Sequence, residues 1–272
     1  MIRDITIGQY YPSGSIIHRL DPRVKLIGTF LFILSLFLFD SLYGYIAVTI
    51  FLFTAIKLSK VPVLYILRGL KAVIVLLLFT TFFNLFFKTG NRIIFEYGII
   101  KISDKGVYDS VFTIIRLTYL IIGSSLMTFT TTPNQLTDGL EKVLHPLNHI
   151  KVPVHEIAMM MSIALRFIPI LLEETDKIMK AQMARGADFE SGGLIKKAKS
   201  LIPLLVPLFV SAFRRANDLA MAMEARCYRG GEGRTKMKPL RYHSRDVVSY
   251  VIILTYLATT IVIGIFDRNP FI

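Results

Sequence analysis

Apolar residues run along this chain in blocks that are too long for ordinary strands and almost free of charge. Val24–Phe39, about Tyr43–Ile56, about Leu70–Phe87, Val107–Phe129 and about Val247–Phe266 each read as a membrane-crossing helix. Arg23 and Lys25, Lys57 and Lys60, and Arg68, Lys71 and Lys88 mark the block ends. A spanning helix takes about 20 residues for about 30 Å of hydrocarbon, so the first two blocks must recruit flanking residues. The first block does not read as a cleaved leader. No small-residue cleavage site comes after it, and a second apolar block begins almost at once.

The pattern changes between Thr130 and Asp246. A short helix is expected from Thr132-Pro133 through Val143, with Pro146 and Pro153 punctuating the connection beyond it. Two long helices are then expected, Val154–Ala184 and Lys196–Glu224. Each begins oily and ends charged, so each reads as an amphipathic element at the membrane boundary rather than a full crossing. Pro203 and Pro207 are expected to kink the second helix or mark its early turns. The expected fold class is therefore all-α: a polytopic membrane protein with about five transmembrane helices and long crossed cytoplasmic coupling helices. The expected partition is 1–130 for an N-terminal domain of four spans, 131–245 for the coupling domain and 246–272 for a C-terminal span.

Composition sharpens this picture. Of 272 residues, 53% are apolar and 19% charged, with a mean hydropathy of +0.56, which excludes a disordered chain. A single cysteine excludes an internal disulfide scaffold. The formal charge of +13 would favour nucleic acid in a soluble domain, but here the basic residues flank spans and no nucleic-acid-binding motif accompanies them. Arg3, Arg19, Arg23 and Lys25, then Lys57–Lys71, then the stretch up to Arg245, all read as cytoplasmic. An odd number of crossings places Asp267 and Arg268 outside. The Lys88–Lys105 loop is also basic, though mixed with Glu96 and Asp104. Arg116 interrupts the fourth block and is expected to face a protein seam or water path rather than lipid.

Catalytic chemistry is not in evidence. There is no phosphate-binding G-x-x-x-x-G-K-[ST] loop, and the Gly230–Gly233 run lacks its ending. Gly192-Gly193 reads as a turn. His155-Glu156 lacks the second histidine of a metal-binding helix, and Cys227 has no acid–base partners. No catalytic, cofactor-binding or metal-binding residue is expected.

Two local patterns carry more information. Gly8-Gln9-Tyr10-Tyr11-Pro12 leads through Ser13-Gly14-Ser15 to His18-Arg19-Leu20-Asp21-Pro22-Arg23-Val24-Lys25. Asp21 can cap the first helix with Pro22 at its first position, giving an interfacial entry or a contact with another membrane subunit. The second pattern is a repeat. Ala184-Arg185-Gly186 recurs 41 residues later as Ala225-Arg226-Cys227, each after a long helix. Alanine permits close packing, arginine offers a fork of donors, and glycine tolerates the left-handed cap. These are docking ends, or simply helix C-termini with dipole-compatible arginines.

With these residues in place the whole chain resembles the transmembrane T component of energy-coupling factor transporters, the EcfT/CbiQ superfamily, nearest its modular vitamin-type branch. Ala184, Arg185 and Gly186 match the family's Ala-Arg-Gly motif. Ala225 and Arg226 match its second copy, and Cys227 stands where glycine is usual. The resemblance implies a non-catalytic scaffold in the cell membrane that couples two cytosolic ABC ATPases (EcfA and EcfA') to a substrate-binding membrane S component. It implies ATPase docking by residues 184–186 and 225–227, one motif per ATPase, and vitamin or micronutrient uptake. Membrane lipid is a partner; nucleic acid, cofactors and metal are not. The alternatives are a dedicated metal-ion or single-vitamin T component, or a self-contained secondary transporter, for which inverted repeats and broken midplane helices are missing.

Overall fold

The computed structural model describes residues 10–71, 73–87, 93–97, 100–189, 193–231 and 237–268. Gly8, Gln9, Lys88, Gly192, Glu232 and Gly233, named among the expected features, lie outside the described residues. The chain forms two compact units, one of residues 8–143 with 240–272 and one of residues 144–239.

The first unit holds α1 (Pro22–Ser35), α2 (Leu42–Ser59), α3 (Val63–Lys71), α4 (Ile74–Phe87), an antiparallel hairpin of β1 (Ile93–Tyr97) and β2 (Ile100–Ser103), α5 (Asp104–Thr130), most of α6 (Pro133–Leu144) and α10 (Ser244–Arg268). Asp21 caps α1 as its sequence predicts. Its carboxylate accepts from the Arg23 N–H at 2.9 Å, and Pro22 opens the helix. Beyond Ser35 the chain tightens into i→i+3 turns through Leu38. Thr132 and Gln135 cap α6 reciprocally, each side chain accepting from the other's backbone N–H. An aromatic core joins α1, α2, α5 and α10. Phe32, Leu36, Tyr45, Val48 and Tyr256 are buried in it, and Phe51 stacks on Tyr256 at 4.2 Å. Large apolar side chains on α4 and α10, such as Phe79, Phe82, Val251 and Leu254, stay exposed, as a lipid-facing surface requires.

Polar residues gather at one end of this layer. Lys25, buried near the start of α1, donates from Nζ to the carbonyls of Thr130 at 2.7 Å and His18 at 3.1 Å. Asp246, fully buried at the start of α10, accepts from the Asp21 N–H at 2.9 Å and the His243 N–H at 2.7 Å. The end of α5 and the starts of α1 and α10 therefore lie together.

Three span expectations are refined. The third block is not one rod, since α3 and the helix beginning at Ile74 meet at 60°, with Leu70 and Lys71 in α3. Arg116 does face a protein seam. It ion-pairs with Asp40 and donates to the Phe39 carbonyl at 3.3 Å, tying α5 to the connection between α1 and α2. Among the described residues four helices can cross a membrane by length and composition, Leu42–Ser59, Asp104–Thr130, Val154–Ala184 and Ser244–Asp267, and the bent α3–α4 pair makes a fifth if it is one span. The α-helical part of α1 has 14 residues, about 21 Å, and falls short. Val154–Ala184 passes because its oily first half is long enough, although its second half is charged. The protein is an all-α, polytopic membrane protein, with the short hairpin as its minor β element.

The second unit holds a 3₁₀ helix (His145–Ile150), α7 (Val154–Ala184), α8 (Leu194–Ser200) and α9 (Ile202–Ala225). The expected helix Lys196–Glu224 is divided at Leu201. Pro203 at the first turn of α9 cannot continue the helix before it, so a new one starts. Pro207 lies inside α9.

Candidate functional site

The two helix ends expected to dock have the same backbone. Helix α7 runs to Ala184, with Arg185 as its C-cap and Gly186 at φ +87°. The Gly186 N–H donates to Met183 O at 2.9 Å, and the Ala187 N–H donates to Gln182 O at 3.0 Å. Helix α9 runs to Ala225, with Arg226 as its C-cap and Cys227 at φ +55°. There the Cys227 N–H donates to Glu224 O at 2.8 Å, and the Tyr228 N–H to Met223 O at 3.0 Å. Both are Schellman caps with one residue in left-handed geometry. Cysteine in place of glycine therefore does not alter the second cap. Its Cβ simply accepts a strained region of backbone space.

Each cap arginine is exposed, as are Ala184, Gly186, Ala225 and Cys227. A C-cap arginine sits beside the negative end of its helix dipole, which favours the cation there. The fork of five N–H donors remains available for carboxylates or carbonyls. The second end also borders a cavity of about 750 Å³ between α7 and α9, into which Arg226, Arg229 and Arg166 contribute their positive charge. Sequence reasoning missed Arg166 and Arg229, because only the packing of α9 against α7 brings them beside Arg226.

The helices run antiparallel where they meet. Gln182 near the end of α7 reaches Pro203 at the start of α9, and Met223 near the end of α9 shares a cavity with Ile163 of α7. Arg215 Nη2 donates to Glu174 Oε2 at 2.7 Å between the two helices. Beyond the second cap the chain returns to the start of α7, where Gly231 lies so close to the His155 ring that a Cβ would overlap it. His155 thus packs against Gly231, and among the described residues no cluster of three or more His, Cys, Asp or Glu could hold a metal.

The N-terminal motif turns inward instead of forming a second exposed site. His18 Nε2 donates to Tyr11 O at 2.7 Å, and its Nδ1 accepts from Ser15 Oγ at 2.7 Å. Burial, followed by the nearby Lys25 ammonium, lowers the imidazole pKa and keeps the ring neutral. Asp21 is ionised more readily than usual. Burial raises its pKa, but hydrogen bonds and charge from Arg23 outweigh that effect. Arg23 also lies over the Tyr242 ring at 3.7 Å.

Comparison with known proteins agrees with this architecture. The CbiQ family model, described as a cobalt transport protein, matches residues 13–237. The energy-coupling factor transporter transmembrane protein EcfT of Clostridium kluyveri is 53% identical over 262 residues, 96% of this chain and 97% of the relative. That of Thermosediminibacter oceani is 54% identical over 250 residues, 92% and 94% of the two chains, and that of Bacillus subtilis 48% over 260 residues, 94% and 98%. Such cover takes in both capped helix ends and most of the apolar blocks, and the chain belongs to the EcfT family of energy-coupling factor transporter transmembrane proteins.

Proposed function

We propose that this chain is the membrane scaffold through which two cytosolic ABC ATPases drive a substrate-binding membrane partner in the uptake of a vitamin or micronutrient. The observation that carries the reading is the pair of identically capped helices, each ending in one exposed arginine. Arg185 docks on one ATPase and Arg226 on the other. ATP binding brings the motors together, and the crossed helices α7 and α9 pass the motion to the membrane partner as a population shift between two arrangements. The chain contributes contacts and leverage, and the chemistry belongs to the ATPases.

The coupling segment lies on the cytoplasmic side of the cell membrane in this reading. Parity supports it. The end of α5 and the start of α10 share one end of the helix layer, so residues 131–243 cross the bilayer an even number of times or not at all. A single crossing by α7 would separate those ends. The basic residues flanking that shared end, Arg19, Arg23 and Arg245, favour the cytoplasm.

The test is purification in mild detergent with subunit mass analysis, then ATP-driven uptake after Arg185→Ala, Arg226→Ala and both together. Loss of ATPase subunits or of uptake with intact membrane insertion is expected, strongest in the double variant because two docking points reinforce each other. Normal complex yield and uptake in the double variant would defeat the reading. A dedicated metal-ion transporter is the second reading, favoured by the cobalt transport description of the matching family model. Copurification with several different substrate-binding subunits decides for the shared form.

A further inference from the structure

The repeat that sets the two caps 41 residues apart extends to the place where the helices cross. Glu174 and Arg215 are also 41 residues apart, and they are the residues that pair across the crossing. In two helices related by a two-fold axis, only residues on that axis meet their own equivalents. The Glu174–Arg215 contact therefore marks a pseudo-two-fold axis between α7 and α9. Each cap arginine lies eleven residues beyond its own half of the pair, about 16 Å along its helix. The two arms are equal in length.

The charges suit that position. Residues of the same sign meeting on an axis would repel. The first arm carries Glu173-Glu174 and the second Arg214-Arg215, so the equivalent positions attract. The ion pair itself is single-pronged. Arg215 offers only Nη2 to the carboxylate, and its buried Nε has no hydrogen-bond partner among the described residues. A two-pronged pair would fix the angle between the arms, whereas one bond allows rotation about it. The packing beside it is slack. A cavity of about 300 Å³ adjoins Arg215, with Phe167 and Leu171 of α7 facing Ala212, Ala216 and Ala220 of α9. Tight interdigitation would resist a change of crossing angle, and this joint lacks it.

We propose that Glu174 and Arg215 are positioning residues that form the pivot about which the two arginine-tipped arms swing. The inference rests on the coupling reading above and adds the residues that keep the arms centred. An unpinned crossing would let α7 and α9 slide, and movement at one tip would no longer fix movement at the other.

The experiment uses the full complex in lipid nanodiscs and pulsed electron–electron distance measurement. One label pair, Asp188→Cys with Arg229→Cys in a Cys227→Ser background, reports the tips. A second pair, Thr175→Cys with Ala216→Cys in a Cys227→Ser background, reports the crossing. With Glu174 and Arg215 in place the tip distance shifts on ATP binding and the crossing distance does not. Glu174→Gln or Arg215→Gln replaces the single ATP-bound tip distance with a broad distribution, and the swap Glu174→Arg with Arg215→Glu restores it. A crossing distance that shifts as much as the tip distance overturns the pivot, as does a swap no narrower than the single variants. The crossing pair needs neither charge variant, so the test survives if those fail to fold. Failure of the wild-type chain to assemble with ATPases would instead remove the coupling reading itself.

Discussion

The carboxylate of Asp246 accepts the backbone N–H of Asp21, 225 residues earlier in the chain. One buried side chain thus satisfies donors at the starts of two helices, since its other oxygen takes the His243 N–H. Helix N-termini carry unpaired donors and partial positive charge, so a shared carboxylate suits both. The arrangement sets the register of α10 beside α1, and with it the side on which the chain re-enters the helix layer.

Asp246→Ala should therefore weaken the fold. It orphans the buried Asp21 N–H, at a cost of about 1–3 kcal/mol, and frees the partly buried His243 N–H to water. A clear drop in the melting temperature of the detergent-solubilised protein is expected, read by size-exclusion chromatography after heating. Asp246→Asn keeps the shape and one carbonyl acceptor, and should fall between wild type and the alanine variant. An unchanged melting profile for the alanine variant would mean that water replaces the carboxylate.

The opposite end of the same helix pair makes a second demand. A Cβ at Gly264 of α10 would stand 2.5 Å from the Leu38 carbonyl oxygen. Backbone cannot move aside as a flexible side chain does. Glycine to alanine inside a helix ordinarily gains about 1 kcal/mol. Here overpacking of about 1–3 kcal/mol opposes it, so Gly264→Ala should lower stability. A higher melting temperature would show that α10 and the connection between α1 and α2 are not held this close.

The helices are legible in the sequence because their signals are local. The charge-free blocks, the Asp21-Pro22 cap and the full extent of α7 come from pattern and capping alone. The break at Leu201 is legible only as an effect of Pro203, without its position. The hairpin from Ile93 to Ser103 gives no signal distinct from a loop, because two short strands carry little periodicity. The polar corner of Lys25, Thr130 and Asp246 is not legible, since its partners are more than a hundred residues apart. The crossing pair is within reach. Extending the 41-residue repeat backwards from Arg185 and Arg226 arrives at Glu174 and Arg215, whose opposite charges are the signal.

The only cysteine of the chain sits at the second tip and is exposed, which makes it a native topology probe. A membrane-impermeant maleimide should label Cys227 in inside-out vesicles lacking the ATPases and leave it untouched in intact cells. Bound ATPases should protect it, because it adjoins Arg226. Labelling from outside would place the capped ends on the wrong side for any cytosolic motor.

Cys227 also holds left-handed backbone that glycine adopts without strain. Cys227→Gly should raise stability by about 1 kcal/mol, the cost of that region for a residue with a Cβ. The mirror change, Gly186→Ala at φ +87°, should lower it by a similar amount. Open space around Gly186 means that the effect is conformational and not steric. Thermal melts of the two variants should therefore move in opposite directions, and a shift of the same sign in both would contradict the matched caps.

His18 predicts how stability responds to acid. Its folded pKa lies below the ordinary 6.5, with burial as the main cause. The unfolded chain thus binds a proton at a higher pH than the folded protein does. Stability from the neutral ring is fully present above about pH 6.5 and is lost as pH falls through the folded pKa. One such proton gives a slope of at most about 1.4 kcal/mol per pH unit. Protonation would place a cation beside buried Lys25 and turn Nδ1 from an acceptor into a donor, so that Ser15 Oγ must receive where it now gives. Melting temperatures between pH 7.5 and 5.5 should fall more steeply for the wild type than for His18→Gln. The glutamine variant should be less stable at pH 7.5, because it fills the site poorly, and less sensitive to acid. Equal slopes in the two proteins would mean that protons taken up elsewhere control the response.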